Sequence, residues 1–322
     1  MEAPMTGGDA ATPAPVPAPP MPVSGTVPWP RIAVGTPGPE FEPRPPGPYS
    51  YDHPDTECDG WSTSALTLRF ASVRGAKHRY YRQPRQDAAR AAAHQPTGAV
   101  VFAVADGVSS AVASELGAVE ACRAAMERLL HLLSANTEPA EPLDLAGVVH
   151  HAAQRLWEIT RWRLEGREPE LADVAGQHAT TLVAGAVRPA SDGPAMVELC
   201  RIGDSAAWVL DSTSAHYASL FRPKTAPDAV LVSNEVVSLP QVPHPLEQVR
   251  VPLQERQVLL VGTDGVADPL GDGDGQVGSL FAGQLAAPCA PLWFAHVLDF
   301  SRETFDDDRT LLAIWPQTSE RR

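Results

Sequence analysis

Basic residues are in short supply. Lys and Arg together number 25 against 39 Asp and Glu, giving a formal charge of -14 at pH 7. Nonspecific nucleic-acid binding needs cations that neutralise phosphates, so this balance argues against it, and it disfavours anionic membranes for the same reason. Cysteine is scarce as well. The four cysteines, Cys58, Cys122, Cys200 and Cys289, are widely spaced and form no CxxC pair. Neither a disulfide frame nor a zinc site is indicated, and free thiols in a reducing compartment are expected. No apolar run approaches the roughly 20 residues that span a bilayer, and the N-terminus lacks the basic-then-apolar order of a signal peptide. The expectation is a cytoplasmic protein with no membrane or nucleic-acid partner.

Proline, by contrast, is abundant and unevenly placed. The first 50 residues hold 15 of the 33 prolines, as in "ATPAPVPAPPMPV" and "EPRPPGPYS". Proline lacks the N–H that ladders and helices require, so residues 1–57 are expected to form an extended, disordered tail serving as a linker, a spacer or a proline-motif docking segment. A chain of 322 residues still leaves ample length for a full core. The expected division is a globular domain over 58–316 and a short polar C-terminal tail over 317–322.

Within the globular part, apolar runs predict strands at Leu66 to Val73, Val100 to Ala105, Thr180 to Val187, Met196 to Ile202, Ala206 to Leu210, Val258 to Thr263 and Thr310 to Trp315. Helical spacing marks Ser110 to Leu133, with Val112, Leu116, Val119, Cys122, Met126, Leu129, Leu130 and Leu133 on one side. It also marks Leu143 to Leu164 and Pro291 to Thr304, and more weakly Val277 to Ala286. Trp157 and Trp162 on the second helix are read as packing residues. Several strands follow one another without intervening helices, which favours an α+β fold rich in antiparallel pairing over a doubly wound parallel sheet. The stretch from Ser212 to Gln257 reads as an irregular insertion.

Acidic residues recur in one context, at the end of an apolar strand beside Gly or another acid. Asp106-Gly107 follows "VVFAVA", Gly203-Asp204 follows "MVELCRI", Asp264-Gly265 follows "VLLVGT", and Asp306, Asp307 and Asp308 precede the last strand. Asp87 lies upstream of the Asp106 strand. A lone Asp-Gly is ordinarily a solvated turn. Strand ends of a packed sheet converge, however, and clustered carboxylates repel unless protons or cations offset them. Oxygen ligands of this kind suit Mg²⁺ or Mn²⁺, whereas zinc would call for grouped His and Cys. Two such ions about 3.5–4 Å apart can activate a shared water toward phosphorus, which makes a hydrolase without a protein nucleophile. "GDGDGQVG", Gly271 to Gly278, lacks the Lys of a P-loop and the closing Glu of an EF-hand, and is read as an exposed turn.

The order of these blocks resembles the metal-dependent type 2C protein Ser/Thr phosphatases, in particular a bacterial branch whose first block reads like "RG..H.......QDA". "VRGAKHRYYRQPRQDAA" supplies Arg74, Gly75, His78, Gln86 and Asp87. "FAVADGVSSAVASELGA", "HATTLVAGAV", "CRIGDSAAWVL", "LLVGTDGVAD" and "DDDRTLLAIW" follow in the family's order, spanning about Leu66 to Trp315. The resemblance implies a four-layer α-β-β-α sandwich, two central antiparallel sheets flanked by helices, and a monomer acting on phosphoproteins of a Ser/Thr kinase pathway. It further implies two divalent cations, Mg²⁺ or Mn²⁺, with a weaker third site that some relatives show. Asp106 would bridge both ions, with the Gly107 carbonyl on one; Asp264 and Asp307 would hold the other; Asp87 would act through water and Asp204 would serve the third site. Asp106 and Asp264 are the expected catalytic residues, acting through metal-bound water. Arg82, five residues before Asp87, occupies the place of a phosphate-clasping Arg, the other reading being a surface residue in the basic run Lys77, Arg79, Arg82 and Arg85.

Several positions depart from the family pattern. Gln86 stands where Glu is frequent, Val108, Ser109 and Ser110 replace Met-Gly-Gly or a His, Ala206 takes an Arg place, and Asp308 sits where Asn is common. His78 matches the branch motif without an assigned role. All the chelating acids are present, which favours activity. The competing expectation is a catalytically inactive phosphatase-like module that binds a phosphoprotein or a regulator.

Overall fold

In the computed structural model, residues 29–47, 51–135, 141–222 and 237–317 are described. The described residues from Arg31 to Gln317 belong to one compact unit. Most of the expected proline-rich tail, the centre of the Ser212 to Gln257 stretch and nearly all of the C-terminal tail lie outside the described residues.

The described chain runs β1 (Thr56–Ser62), β2 (Leu66–Val73), α1 (Ala76–Tyr81), β3 (Asp87–His94), β4 (Ala99–Asp106), α2 (Ser114–Ala135), α3 (Leu145–Arg163) and α4 (Leu171–His178). It continues with β5 (Leu182–Arg188), β6 (Ala195–Ile202), β7 (Ala206–Asp211), β8 (His216–Ser219), β9 (Glu247–Leu253) and β10 (Gln257–Gly262). It closes with α5 (Asp264–Leu270), α6 (Gln276–Leu285), α7 (Pro291–Leu298) and β11 (Arg309–Pro316). One sheet has the order β1-β2-β11-β10-β7-β8 and the other β3-β4-β5-β6-β9, with every neighbouring pair antiparallel.

Three apolar interfaces make four layers. Side chains alternate between the two faces of a strand, so a sheet buried on both sides must be apolar at successive positions. On β4, Val100, Phe102 and Val104 point into the space between the sheets, where they meet Leu68, Phe70, Leu259, Val261 and Leu312. Val101, Ala103 and Ala105 point the other way, onto Cys122, Met126 and Leu129 of α2 and Val148 and Leu156 of α3. Leu260, Leu311 and Ala313 lie under Phe281, Phe294 and Leu298 of the opposite helical layer. The architecture is therefore the α+β, α-β-β-α sandwich that the resemblance implies. Phe102 is fully buried at the centre, and truncating such a residue to Ala costs about 3–5 kcal/mol.

Local signals set the helix ends. Asp144 caps α3 by accepting from Gly147 N at 2.9 Å, Glu170 and Asp173 form a capping box on α4, and Pro291 opens α7 where its missing N–H costs nothing. The four cysteines are free. Burial pushes the Cys122 and Cys200 thiols up to about 12, so they are inert packing groups.

Some expectations are corrected. Residues Arg31 to Gly38, inside the expected tail, pack on the domain: Ala33 bridges Ser301, Arg31 pairs with Asp299 at 2.7 Å, and Val34 is buried. That docking ends α7 at Leu298, short of the expected Thr304, because Ser301 N donates to Ile32 O at 2.7 Å instead of continuing a helix. The "irregular" stretch contains β8 and β9, the latter completing the second sheet against β6. Val112 is 74% exposed and precedes α2, and Trp162 is 82% exposed, unlike the partly buried Trp157. The exposed basic run is also mistaken in part, since Arg79 and Arg85 are buried.

Candidate metal centre

Strand pairing brings the first two acids together. Asp87 opens β3 and Asp106 closes β4, and the two are directly opposed in the ladder. Opposed residues put their side chains on one face. The Thr-Thr pair then fixes the backbone of Asp106: its carbonyl accepts from Thr180 Oγ1 and from Thr181 N, both at 2.8 Å, and its N–H donates to Thr181 Oγ1 at 3.0 Å.

The same threonine reaches the next acid. Thr181 Oγ1 lies 2.9 Å from Ser205 Oγ, which ties the Asp106 strand to the turn that carries Asp204. Gly203 adopts φ +91° there, and an added Cβ would stand 2.6 Å from the Thr181 methyl. Only glycine meets both conditions cheaply. Asp264 is the first residue of α5, directly after Thr263. Thr263 Oγ1 donates to Asp87 Oδ2 at 2.7 Å and accepts from Thr310 N at 3.1 Å, so one hydroxyl joins β10, β11 and the acid of β3.

Asp106, Asp204 and Asp264 each present a carboxylate oxygen, and the three atoms lie within 4.8 Å of one another. Oxygen ligands at about 2.0–2.6 Å from a hard cation stand up to about 4–5 Å apart, so this triad fits one. The electrostatics agree. Burial, then Asp308, hold Asp87 well above the usual carboxylate range despite the Thr263 hydrogen bond. Burial, followed by the charges of Asp87, Asp264 and Asp307, raises Asp106 in the same way. The donor set is all oxygen, and its crowded negative charge is of the kind that protons or a divalent cation offset. Gly107 leaves no room for a side chain, because a Cβ would lie 2.7 Å from the Ser114 carbonyl.

Asp307 belongs to a second group. With His78 and Asp308 it offers three ligand atoms within 4.8 Å of one another. Asp308, 2% exposed, binds Gly75 N at 2.7 Å and Gln86 N at 2.6 Å through its two oxygens. Burial opposes its charge, but His78 and these backbone N–H groups outweigh burial and hold Asp308 below the usual range. Arg82 caps α1 with φ +59° and is exposed.

The acids foreseen from the sequence thus converge on one end of the two sheets, although Asp204 groups with Asp106 and Asp264 while Asp307 groups with His78. The supporting residues were missed. Arg85 is buried beneath the site, donating to the Asp87 carbonyl at 2.6 Å and to Glu57 at 2.9 Å. Thr263 carries no signal beyond its place beside Asp264, and the sequence blocks that contain Thr181 and Asp308 give neither residue a role.

A family model described as protein phosphatase 2C matches residues 74–295. The chain belongs to that family. Among solved structures, the PPM Ser-Thr phosphatase MsPP from Mycobacterium smegmatis, in complex with cacodylate, aligns at TM-score 0.50 and 19% identity, over 79% of this chain and 99% of its own. A mutant bacterial serine phosphatase aligns at TM-score 0.52 and 15% identity, over 80% and 100%. The catalytic domain of the phosphatase PstP in complex with 2 manganese ions aligns at TM-score 0.49 and 16% identity, over 79% and 99%. At these identities the likeness to the first two is one of fold. No curated protein matches the sequence. Among the described residues of this phosphatase 2C chain, no helix is long and apolar enough to cross a membrane.

Proposed function

We propose that this protein is a metal-dependent protein Ser/Thr phosphatase that hydrolyses phosphoprotein monoesters, acting as a cytoplasmic monomer opposite a Ser/Thr kinase. The observation that carries the reading is the Asp106, Asp204 and Asp264 triad, whose ligand atoms lie within 4.8 Å, set beside the buried Asp87 and the Asp307 group. Two divalent cations, Mg²⁺ or Mn²⁺, would when bound lower the pKa of a shared water and draw charge from the phosphoryl oxygens.

The chain's own groups define the rest. Asp106, at the centre of the carboxylates, would bridge the two ions with the Gly107 carbonyl alongside. Asp264 and Asp307 would hold the second ion, and Asp204 would serve the first or a weaker third. Asp87, held by Thr263, would orient water by hydrogen bonding. Arg82 projects from the C-terminal end of α1, whose first turn carries Lys77 3.9 Å from Asp307. Its planar guanidinium can pair with two phosphate oxygens, which steers substrate into line. No protein nucleophile is needed, and Val108, Ser109 and Ser110 offer no general acid.

An aryl phosphate assay with and without Mn²⁺ tests the reading. Turnover that disappears on chelation and in Asp106→Ala supports the enzyme. Tight binding of a phosphopeptide with no turnover under any metal would establish the inactive binding module in its place.

A further inference from the structure

We infer that the His78 imidazole is a nitrogen ligand for a divalent cation beside Asp307, and that this biases the centre toward manganese or iron over magnesium. The inference deepens the binuclear reading above and rests on it.

His78 lies on α1 and is 2% exposed. Its ring stands between two carboxylates. Nδ1 is 2.9 Å from Asp308 Oδ2, close enough to pair though poorly aligned for a hydrogen bond, and Nε2 is 3.8 Å from Asp307 Oδ1. Nε2 has no hydrogen-bond partner. A separation of 3.8 Å is too long for a direct hydrogen bond, and an unsatisfied buried nitrogen costs about 1–3 kcal/mol. A group set between Nε2 and Asp307, such as a water or a cation, would satisfy it.

The surroundings narrow the choice. Both Asp308 oxygens already accept backbone N–H groups, from Gly75 and Gln86. Asp308 is placed to orient the ring from Nδ1, which leaves the opposite nitrogen directed at Asp307. Carboxylate, imidazole and cation in line is the arrangement by which proteins fix the tautomer and direction of a metal-binding histidine. Lys77 Nζ stands 3.9 Å from the other Asp307 oxygen, Oδ2, so Oδ1 is the one turned toward the ring. An ion bound at about 2.0–2.2 Å to both atoms would span the gap between Nε2 and Oδ1.

A nitrogen ligand has a chemical consequence. Carboxylate, carbonyl and water oxygens suit magnesium, whereas imidazole adds affinity for the softer first-row ions. An all-oxygen position beside a mixed one at Asp307 would make the two ions' sites unequal.

Pulsed electron paramagnetic resonance on the full chain, stripped by chelation and reloaded with Mn²⁺, reads this without reference to turnover. The expected result is ¹⁴N coupling from a directly bound imidazole in the wild type, changing to the ¹⁵N pattern when histidine is ¹⁵N-labelled. In His78→Gln the coupling should vanish, the weaker-bound Mn²⁺ should dissociate about 10–100-fold more readily, and Mg²⁺ affinity should change little. Bound Mn²⁺ with only water and carboxylate couplings in the wild type, or coupling that survives in His78→Gln, overturns the assignment and leaves the binuclear reading standing. A wild-type chain that binds no Mn²⁺ removes both. The labelled wild type decides the question even if the variant fails to fold.

Discussion

Asp87 and Asp106 are directly opposed partners across the β3–β4 ladder. Like charges facing each other in this way are destabilising in any sheet, and the cost grows out of water. The chain accepts it at a place where two β-strands, a threonine pair and a buried arginine hold both residues still. Rigid elements that force repulsive groups together make a site that gains stability when a cation enters.

That repulsion has a sign in pH. Both acids titrate above the usual 3.8 in the folded chain, so the folded state holds its protons more tightly than the unfolded one. Their contribution is therefore favourable below about pH 4 and is lost as pH rises through the raised values. Asp308, held below 3.8, acts in the opposite sense and loses its contribution on acidification. The chelated protein should melt lower at pH 7 than the Mn²⁺-loaded one, with the gap narrowing toward pH 5. Chelated Asp106→Asn should melt above chelated wild type at pH 7. Differential scanning fluorimetry checks both, and a lower melting point for the chelated variant would refute the repulsion.

Thr263 is the joint of the site. Its hydroxyl gives to Asp87 and takes from Thr310 N, and valine keeps the shape while removing both bonds. Thr263→Val should cost about 1–3 kcal/mol by leaving buried polar groups unmatched, read as a lower urea midpoint with an unchanged slope. Mn²⁺ affinity should fall as Asp87 loses its anchor. Unchanged affinity in titration calorimetry would take Thr263 out of the site.

How much of this was legible beforehand depends on which force sets each element. β2, β6 and β11 are buried along almost their whole length and match the expected spans almost to the residue. β3, "DAARAAAH", was not foreseen, because alanine favours helix locally and only pairing with β4 makes it a strand. β9 alternates between half-buried and exposed residues, and its strand character comes from the edge of β6. The metal-facing acids announced themselves by sitting beside glycine at strand ends. Arg85, Thr263 and the His78–Asp308 pair did not, since what matters about them is burial and partners brought in by the fold, as between Asp87 and Thr263 at a separation of 176.

Two glycines separate packing from flexibility. A Cβ on Gly265 would overlap the Asp308 carbonyl oxygen, whereas one on Gly176 of α4 meets nothing within 4 Å. Gly265→Ala must push α5 away from the loop before β11, displacing Asp264 from Asp307. It should destabilise by more than about 2 kcal/mol and abolish tight metal binding. Gly176→Ala should stabilise by about 0.5–1 kcal/mol through reduced chain entropy. Thermal melts of the two distinguish them, and equal effects would mean the close approach is not a constraint.

Arg82 and Asp264 should fail in different ways if one meets substrate and the other metal. Arg82 is exposed at the end of α1, so Arg82→Ala should raise KM for a phosphopeptide while leaving Mn²⁺ affinity intact, and Arg82→Lys should restore only part of the loss. Asp264→Asn replaces a carboxylate by a group of the same shape that still accepts hydrogen bonds, and it relieves the charge that raises Asp106. Folding should survive. Mn²⁺ affinity should drop by at least the about 10–100-fold that weaker perturbations of a metal shell produce, and kcat at fixed metal should fall with it, recovering in part at higher Mn²⁺. Recovery is the discriminating observation: a residue that binds metal can be compensated by more metal, while one that touches only substrate cannot. Kinetics unchanged in Asp264→Asn would remove that carboxylate from the centre, and with it the convergence of β4 and α5 on a shared ion.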